Sequence, residues 1–304
     1  MKRNVKGGLL LAVGLLLLTM AVTKEGWASI PVSFSMNTEE VRMEESTKAS
    51  SIKSIQVDSG STDVRIVPGS TDEIRTRLEG RASSDYAERL RLEVKPEGEK
   101  LHIKAVESDE IHLGLNLTHL ELIVELPEKA WESVAIRTRS GNLELAELKG
   151  AKVEAEAGSG DIEASKIKAA QLKLLTTSGN IRSEEFEGEN LVFKAGTGDV
   201  VLVNGQSEVD GSTGSGTITV QTEALQQNAD LSTGSGDVIV ESARQPSSLA
   251  VDYNSGSGTG EIQWQGITYQ DKSEDGERIK GVFGAGEAHL KVRTTSGDFK
   301  LLQN

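Results

Sequence analysis

Ser159-Gly160-Asp161-Ile162 and, 19 residues later, Ser178-Gly179-Asn180-Ile181 are the stretch on which the fold turns. The same phrase stands earlier as Ser140-Gly141-Asn142-Leu143. It continues as Thr197-Gly198-Asp199-Val200, Ser215-Gly216-Thr217-Ile218, Ser235-Gly236-Asp237-Val238, Ser257-Gly258-Thr259 and Ser296-Gly297-Asp298-Phe299. Successive spacings are 19, 19, 19, 18, 20, 22 and 39, the last close to two periods. A fixed period of this length marks a solenoid whose coils stack on one another. Such a rod offers a long surface rather than one pocket.

The columns around the repeated Ser or Thr give the strand faces. Four residues before it stand Ile136, Ala155, Leu174, Phe193, Gly211, Leu231, Tyr253 and Val292, and two before it Thr138, Ala157, Thr176, Ala195, Thr213, Thr233, Ser255 and Thr294. Three after it come Leu143, Ile162, Ile181, Val200, Ile218, Val238 and Phe299. Five after it come Leu145, Ala164, Ser183, Leu202, Val220, Val240 and Leu301. Alternate residues of a strand share a face, so these columns point inward and the charged residues between them outward. Each coil then carries two strands, a Ser-Gly-Asp corner between them and a looser closing turn. Glycine supplies positive φ at the corner, Asp or Asn bonds nearby backbone, and stacked Ser and Thr hydroxyls can bond between coils. The class is all-β: a parallel β-solenoid of about 19–20 residues per coil over 131–304. Residues 265–290 hold only weak copies and are expected as an irregular coil or outward loop.

Ahead of the rod, 51–130 alternates as strands, with Ser61-Thr62-Asp63-Val64 a degenerate corner and Pro96-Glu97-Gly98 a hairpin turn. This stretch is expected as an N-terminal β cap over the open solenoid edge. Residues 29–50 show no period and are expected as a linker.

Composition bounds function. There is no Cys, which excludes disulfides, thiolate metal sites, thiol nucleophiles and lipidation at Cys. Lys2, Arg3, Lys6 and Lys24 against Glu25 put +3 of the −14 formal charge in residues 1–28, leaving −17 beyond them. So acidic a chain repels nucleic-acid phosphates and anionic headgroups. Basic residues at 2–6, the apolar run 7–22 and Gly26-Trp27-Ala28 have the layout of an export signal or membrane anchor over 1–28. Either places the remainder outside the cytoplasmic membrane, which the chain touches through that segment alone.

Val64-Arg65-Ile66-Val67-Pro68-Gly69, the strand Leu120 to Pro127, and Val134 to Leu143 running into Ser-Gly-Asn-Leu carry a family resemblance. Over about 51–304 the chain resembles the putative adhesin domain family of exported or membrane-anchored Gram-positive proteins, including LiaG-like ones. The resemblance implies a β-solenoid at the cell envelope and carries no catalytic or ligand residues.

Candidate chemistry is sparse. The Gly-Asp corners have a calcium-roll flavour, but each period holds one Gly-x-Gly-Asp at most, and Asn142, Asn180, Thr217 and Thr259 share the Asp column. Turn formation explains that mixture better than ligation. His102, His112, His119 and His289, with Asp109 and Glu110 near the second, lack metal-ligand spacing. There is no Gly-x-Ser-x-Gly elbow and no phosphate loop. No cofactor is expected. Trp264, Tyr269 and Phe283 are the densest cluster among 11 aromatics, able to stack on a glycan or partner or to plug the end of the core. The reading is a non-enzymatic envelope module, adhesive, structural or stress-associated, whose partner is a cell-envelope component. The alternative is a carbohydrate-active β-helix enzyme, a polysaccharide lyase or hydrolase, which would need acids converging in one groove.

Overall fold

The computed structural model describes residues 38–107 and 118–304. Residues 1–28, expected as an export signal or anchor, and the stretch with Asp109, Glu110, His112 and Asn116 lie outside the described residues. Among the described residues, no helix is long and apolar enough to cross a membrane.

The described residues begin with β1 (Thr38–Lys48), β2 (Ser54–Ser59), β3 (Asp63–Gly69) and β4 (Glu73–Ser83). A one-turn helix α1 (Ser84–Ala87) precedes β5 (Leu90–Glu97), β6 (Lys100–Glu107) and β7 (Thr118–Pro127). The repeats then give strand pairs: β8 (Trp131–Thr138) with β9 (Leu143–Ala146), β10 (Lys149–Ala157) with β11 (Ile162–Ser165), and β12 (Lys168–Thr176) with β13 (Ile181–Glu184). There follow β14 (Glu187–Thr197) with β15 (Val200–Val203), β16 (Gln206–Ser215) with β17 (Ile218–Thr222), and β18 (Ala229–Ser235) with β19 (Val238–Ser242). The chain ends in β20 (Leu249–Ser257), β21 (Gly260–Ile262), β22 (Thr268–Lys272), β23 (Arg278–Phe283), β24 (Ala288–Ser296) and β25 (Phe299–Gln303).

Two long sheets result. The first runs β1-β4-β7-β3-β9-β11-β13-β15-β17-β19-β25-β21, and the second β22-β23-β20-β24-β18-β16-β14-β12-β10-β8-β2-β6-β5. Successive coils pair in parallel with equivalent residues aligned, as in Ile162↔Ile181 and Ala155↔Leu174. The inward columns form one core: Ile136, Leu174, Ile181, Phe193, Val238, Tyr253 and Phe299 are all buried. Each such large apolar side chain contributes roughly 1.5–3 kcal/mol on burial. Large and small residues interlock between coils. The Phe193 ring fills the space a Cβ on Gly211 would take, and Phe186 does the same at Gly205.

Three expectations need correction. No separate cap covers the rod over 51–130. Instead β2 and β3 pair in parallel with β8 and β9, so the degenerate corner at Ser61–Val64 completes a true coil. Strands β6 and β7 add another beyond it. Among the described residues, the rod stops in antiparallel strands, β4 and β1 in one sheet and β5 in the other, whose edges carry charge or Pro96. Such residues discourage further strand addition. Residues 29–50 are not all linker, because 38–48 form β1. Its fringe position leaves Val41 as its one buried residue, which hides the alternation a strand usually shows. Residues 265–290 are not an irregular loop: β22 and β23 form an antiparallel hairpin that extends the second sheet beyond β20.

The last repeat is out of order. Strand β24 lies between β18 and β20, and β25 between β19 and β21. The double spacing before Ser296 is taken up by the β22–β23 hairpin, after which the last coil inserts between two earlier ones.

Ser183 faces the core between Ala164 and Leu202, fully buried, with no hydrogen-bond partner for its hydroxyl among the described residues. An unsatisfied buried hydroxyl costs about 1–3 kcal/mol. Ser183→Ala is expected to raise the thermal midpoint by a few degrees, at about 2–4 °C per kcal/mol for a domain of this size. A lower midpoint would show that the hydroxyl has a partner in solution.

Candidate functional site

The corners are the most regular surface of the molecule, and their side chains bond from coil to coil. Asp63 Oδ1 accepts from Asn142 N–H at 2.7 Å, Asn142 Oδ1 from Asp161 N–H at 3.0 Å, and Asp161 Oδ1 from Asn180 N–H at 2.7 Å. Asn180 Oδ1 then accepts from Asp199 N–H at 2.9 Å, and Asp199 Oδ1 from Thr217 N–H at 2.8 Å. A second run links Asp237, Asp298 and Thr259 at 2.8 Å per step, following the spatial order of the coils rather than the chain. One acceptor oxygen per coil is all the ladder uses, so Asp and Asn exchange freely. Thr259 lacks a carboxylate or amide oxygen and stands where the ladder ends. From Asp63 to Asp199 acid and amide alternate, which keeps carboxylates two coils apart. The Asn180 amide also donates to Asp161 Oδ1 at 3.2 Å.

Behind this ladder runs a second one. The inward threonines donate to corner glycine carbonyls of the neighbouring coil: Thr176 to Gly160, Thr213 to Gly198 and Thr233 to Gly216, each at 3.0 Å. Bonds between coils thus come from the threonine two residues before the corner Ser, not from the corner hydroxyls. The glycines answer mainly to close approach. A Cβ on Gly160 would sit 1.8 Å from the Gly141 carbonyl oxygen, without any positive φ at Gly160. At Gly297 both reasons apply, with φ +148° and a Cβ position 1.9 Å from the Gly236 oxygen.

On the outer faces, charges pair across coils. Arg65 meets Glu121 and Glu144, each at 2.9 Å, and Arg137 meets Glu156 at 3.1 Å. In the second sheet Asp230, Lys291, Asp252, Lys280 and Asp271 stand in one register row of alternating sign. There Lys291 lies 2.8 Å from Asp230 and Lys280 3.4 Å from Asp252. Each exposed pair contributes little alone.

Among the described residues, Glu154 is the most enclosed acid, 8% exposed. Burial pushes its carboxyl up, yet hydrogen bonds from Lys173 and Lys152 outweigh that and hold it below its ordinary value of 4.5. A depressed carboxyl stabilises the fold above its unfolded pKa and loses that effect as pH falls through the folded one. Glu154→Gln is therefore expected to lower the melting midpoint at pH 7, with the gap to the parent closing below pH 4.5. Melting curves across pH 3–7 check it; a gap that widens on acidification would contradict the assignment.

The expected aromatic cluster is not one surface. Phe283 is 2% exposed and belongs to the core. Trp264 is half-buried against that core, its indole N–H enclosed without a partner among the described residues. Tyr269 is exposed, with Lys272 Nζ 4.9 Å from its ring centroid. Of the three, Tyr269 alone is exposed. His102 lies 3.5 Å from Glu97, while His119 and His289 sit on the surface. Among the described residues, no three His, Asp or Glu side chains gather as metal ligands would.

Stacked parallel coils in two sheets, joined by a repeating corner, place the chain among known proteins. The pattern of the Toastrack DUF4097 family matches residues 52–302. This chain belongs to the Toastrack DUF4097 family. The resemblance read from Val64–Gly69 and the Ser-Gly-Asn-Leu corner holds. No curated protein matches the Toastrack chain. A putative adhesin from Bacteroides fragilis is similar at 10% identity and TM-score 0.50, over 86% of this chain and 96% of its own. A putative adhesin from Parabacteroides distasonis shares 9% identity over 86% and 97%, with TM-score 0.45. A putative cell adhesion protein from Clostridium sporogenes shares 13% over 88% and 100%, with TM-score 0.29. At such identities the first of these speaks for the Toastrack fold alone, and the other two carry no argument.

Sequence reasoning missed two features of the Toastrack coil. Leu148, Ile167 and Phe186 form a further buried column just after the closing turn. The turn itself is tight: Glu147, Lys166, Glu185 and Asn204, spaced by 19, all take φ near +52 to +55°. Their spacing was visible, but none of the four is itself the glycine that a positive φ usually selects.

Proposed function

We propose that the protein acts without catalysis, as a binding or structural module at the cell envelope, reached through the export segment at its N-terminus. The observation that carries this is where the polar side chains go. Corner Asp and Asn bond the next coil, inward threonines bond corner carbonyls, and outer-face charges pair across coils. Among the described residues, no three acids or histidines gather as metal ligands would, and acids paired with Lys or Arg recur along the rod, whereas a glycosidic pair needs two acids facing each other across a groove. A solved protein of similar fold carries the name putative adhesin, and this reading is compatible with it. Fold does not by itself imply activity, so the reading rests on side-chain placement.

With −17 beyond residue 28, the rod is repelled by anionic wall polymers unless cations bridge them. Binding of the chain lacking residues 1–28 to envelope preparations is expected to rise with divalent cation and fall with chelator. The deciding experiment incubates it with peptidoglycan and common polysaccharides while following reducing ends. Saturable binding without turnover is the expected result. Turnover abolished by substituting one or two acids would overturn the proposal.

A further inference from the structure

The inserted coil divides the rod into parts of different character. A coil in the middle, such as β12 with β13, pairs only with coils before and after it. Residues 249–304 are organised differently. Strand β20 is flanked on both sides by strands of this same segment, β23 antiparallel and β24 parallel. Strand β22 pairs with β23, and β21 with β25. Every strand of the segment has a backbone partner within it. Both sheets are represented, and Tyr253 meets Phe299 at 5.3 Å between ring centroids inside it.

The segment meets the rest of the rod along one seam, where β24 lies on β18 and β25 on β19. Across it, Gly236 N–H donates to Ser296 O and Val238 N–H to Asp298 O, Asp298 N–H donates to Asp237 Oδ1, and Asp230 holds Lys291 and Arg293. One covalent link crosses, residues 243–248, with Arg244, Gln245 and Ser247 exposed and Pro246 between them. Threading a finished coil between two others is unnecessary if the segment closes on itself first and then docks through β24 and β25. A unit that docks through strand edges on a single tether can make the identical junction with another molecule, which is the geometry of domain swapping.

We propose that residues 249–304 are a docking unit, and that the seam they make with β18 and β19 is also an interaction surface for a second copy of this chain. The unit of one molecule seats on the β18 and β19 edge of its neighbour, and the neighbour's unit seats in return. No new contact is required.

The chain has no cysteine, so the seam can be read by disulfide trapping in the full chain. Ser232 of β18 and Arg293 of β24 are register partners on the outer face. The double variant Ser232→Cys/Arg293→Cys is expected to close an internal disulfide, and failure to do so would overturn the seam itself. The two single variants, mixed at high concentration under mild destabilisation and then oxidised, are expected to give a covalent dimer holding one of each. Exposed Glu163, far from the seam, supplies the control as Glu163→Cys mixed with Arg293→Cys. A Ser232–Arg293 dimer yield about ten-fold above that control supports exchange; equal yields, with the double variant closing normally, overturn it.

Discussion

Gly160→Ala is expected to lower the melting midpoint by roughly 6 °C or more, while Gly60→Ala leaves it unchanged or slightly higher. Alanine's Cβ at 160 would lie 1.8 Å from the Gly141 carbonyl oxygen, a backbone atom held by the stacked coil. No rotamer relieves such a clash, so the two coils must part locally. Overpacking a well-packed core typically costs about 1–3 kcal/mol, and a rigid backbone neighbour puts this site at or beyond the upper end. Because each coil leans on its neighbours, the break weakens the ladder on both sides. A Cβ on Gly60 meets nothing within 4 Å and there is no positive φ to accommodate. Alanine there restricts the unfolded chain at no native cost, worth at most about 1 kcal/mol. Thermal melts of the two variants decide it, and a Gly160→Ala midpoint within 2 °C of the parent would be incompatible with the stacking described.

A second large effect is expected at Phe193. Its side chain is 1% exposed and its ring occupies the gap left by Gly211 in the next coil. Truncating a buried Phe costs about 3–5 kcal/mol, and Phe193→Asp also leaves a carboxylate without a partner in an apolar layer. The central coils are expected to lose their cooperative unfolding transition, seen by calorimetry or hydrogen exchange. Glu163→Lys, on the solvent face of β11, is expected to shift the midpoint by no more than about 1 °C, since exposed substitutions rarely exceed 0.5 kcal/mol. Comparable losses in the two variants would show that the inward and outward faces have been exchanged.

Much of the coil was legible because a two-residue alternation and a 19-residue period rarely coincide by chance. Ile162, Ile181 and Val200 announce a stacked inward column through their chemistry alone. The order of the coils was not legible in the same way. Ser296-Gly297-Asp298 has the same corner chemistry as its neighbours, and pairing rules do not say which coil lies beside which. The corner column gave no hint either, because Thr217 stands in an interior coil and Thr259 in a terminal one. The glycine column was read as a demand for positive φ, when the carbonyl of the coil beneath is the commoner reason. Strand β1 was hidden because its outer edge faces solvent, so its sequence carries charge where a central strand would alternate. The aromatic trio was grouped by closeness in the chain, and burial then separated Phe283 from Tyr269.

The position of the final coil also governs how the molecule bears load. A rod whose last coil lay at its tip would yield to tension on its C-terminus by peeling, one row of bonds on one side at a time. Here β25 is gripped by β19 on one flank and β21 on the other, and β24 by β18 and β20. A pull on Asn304 must shear two ladders together before any strand comes free, so the end of the chain is mechanically the inside of the rod.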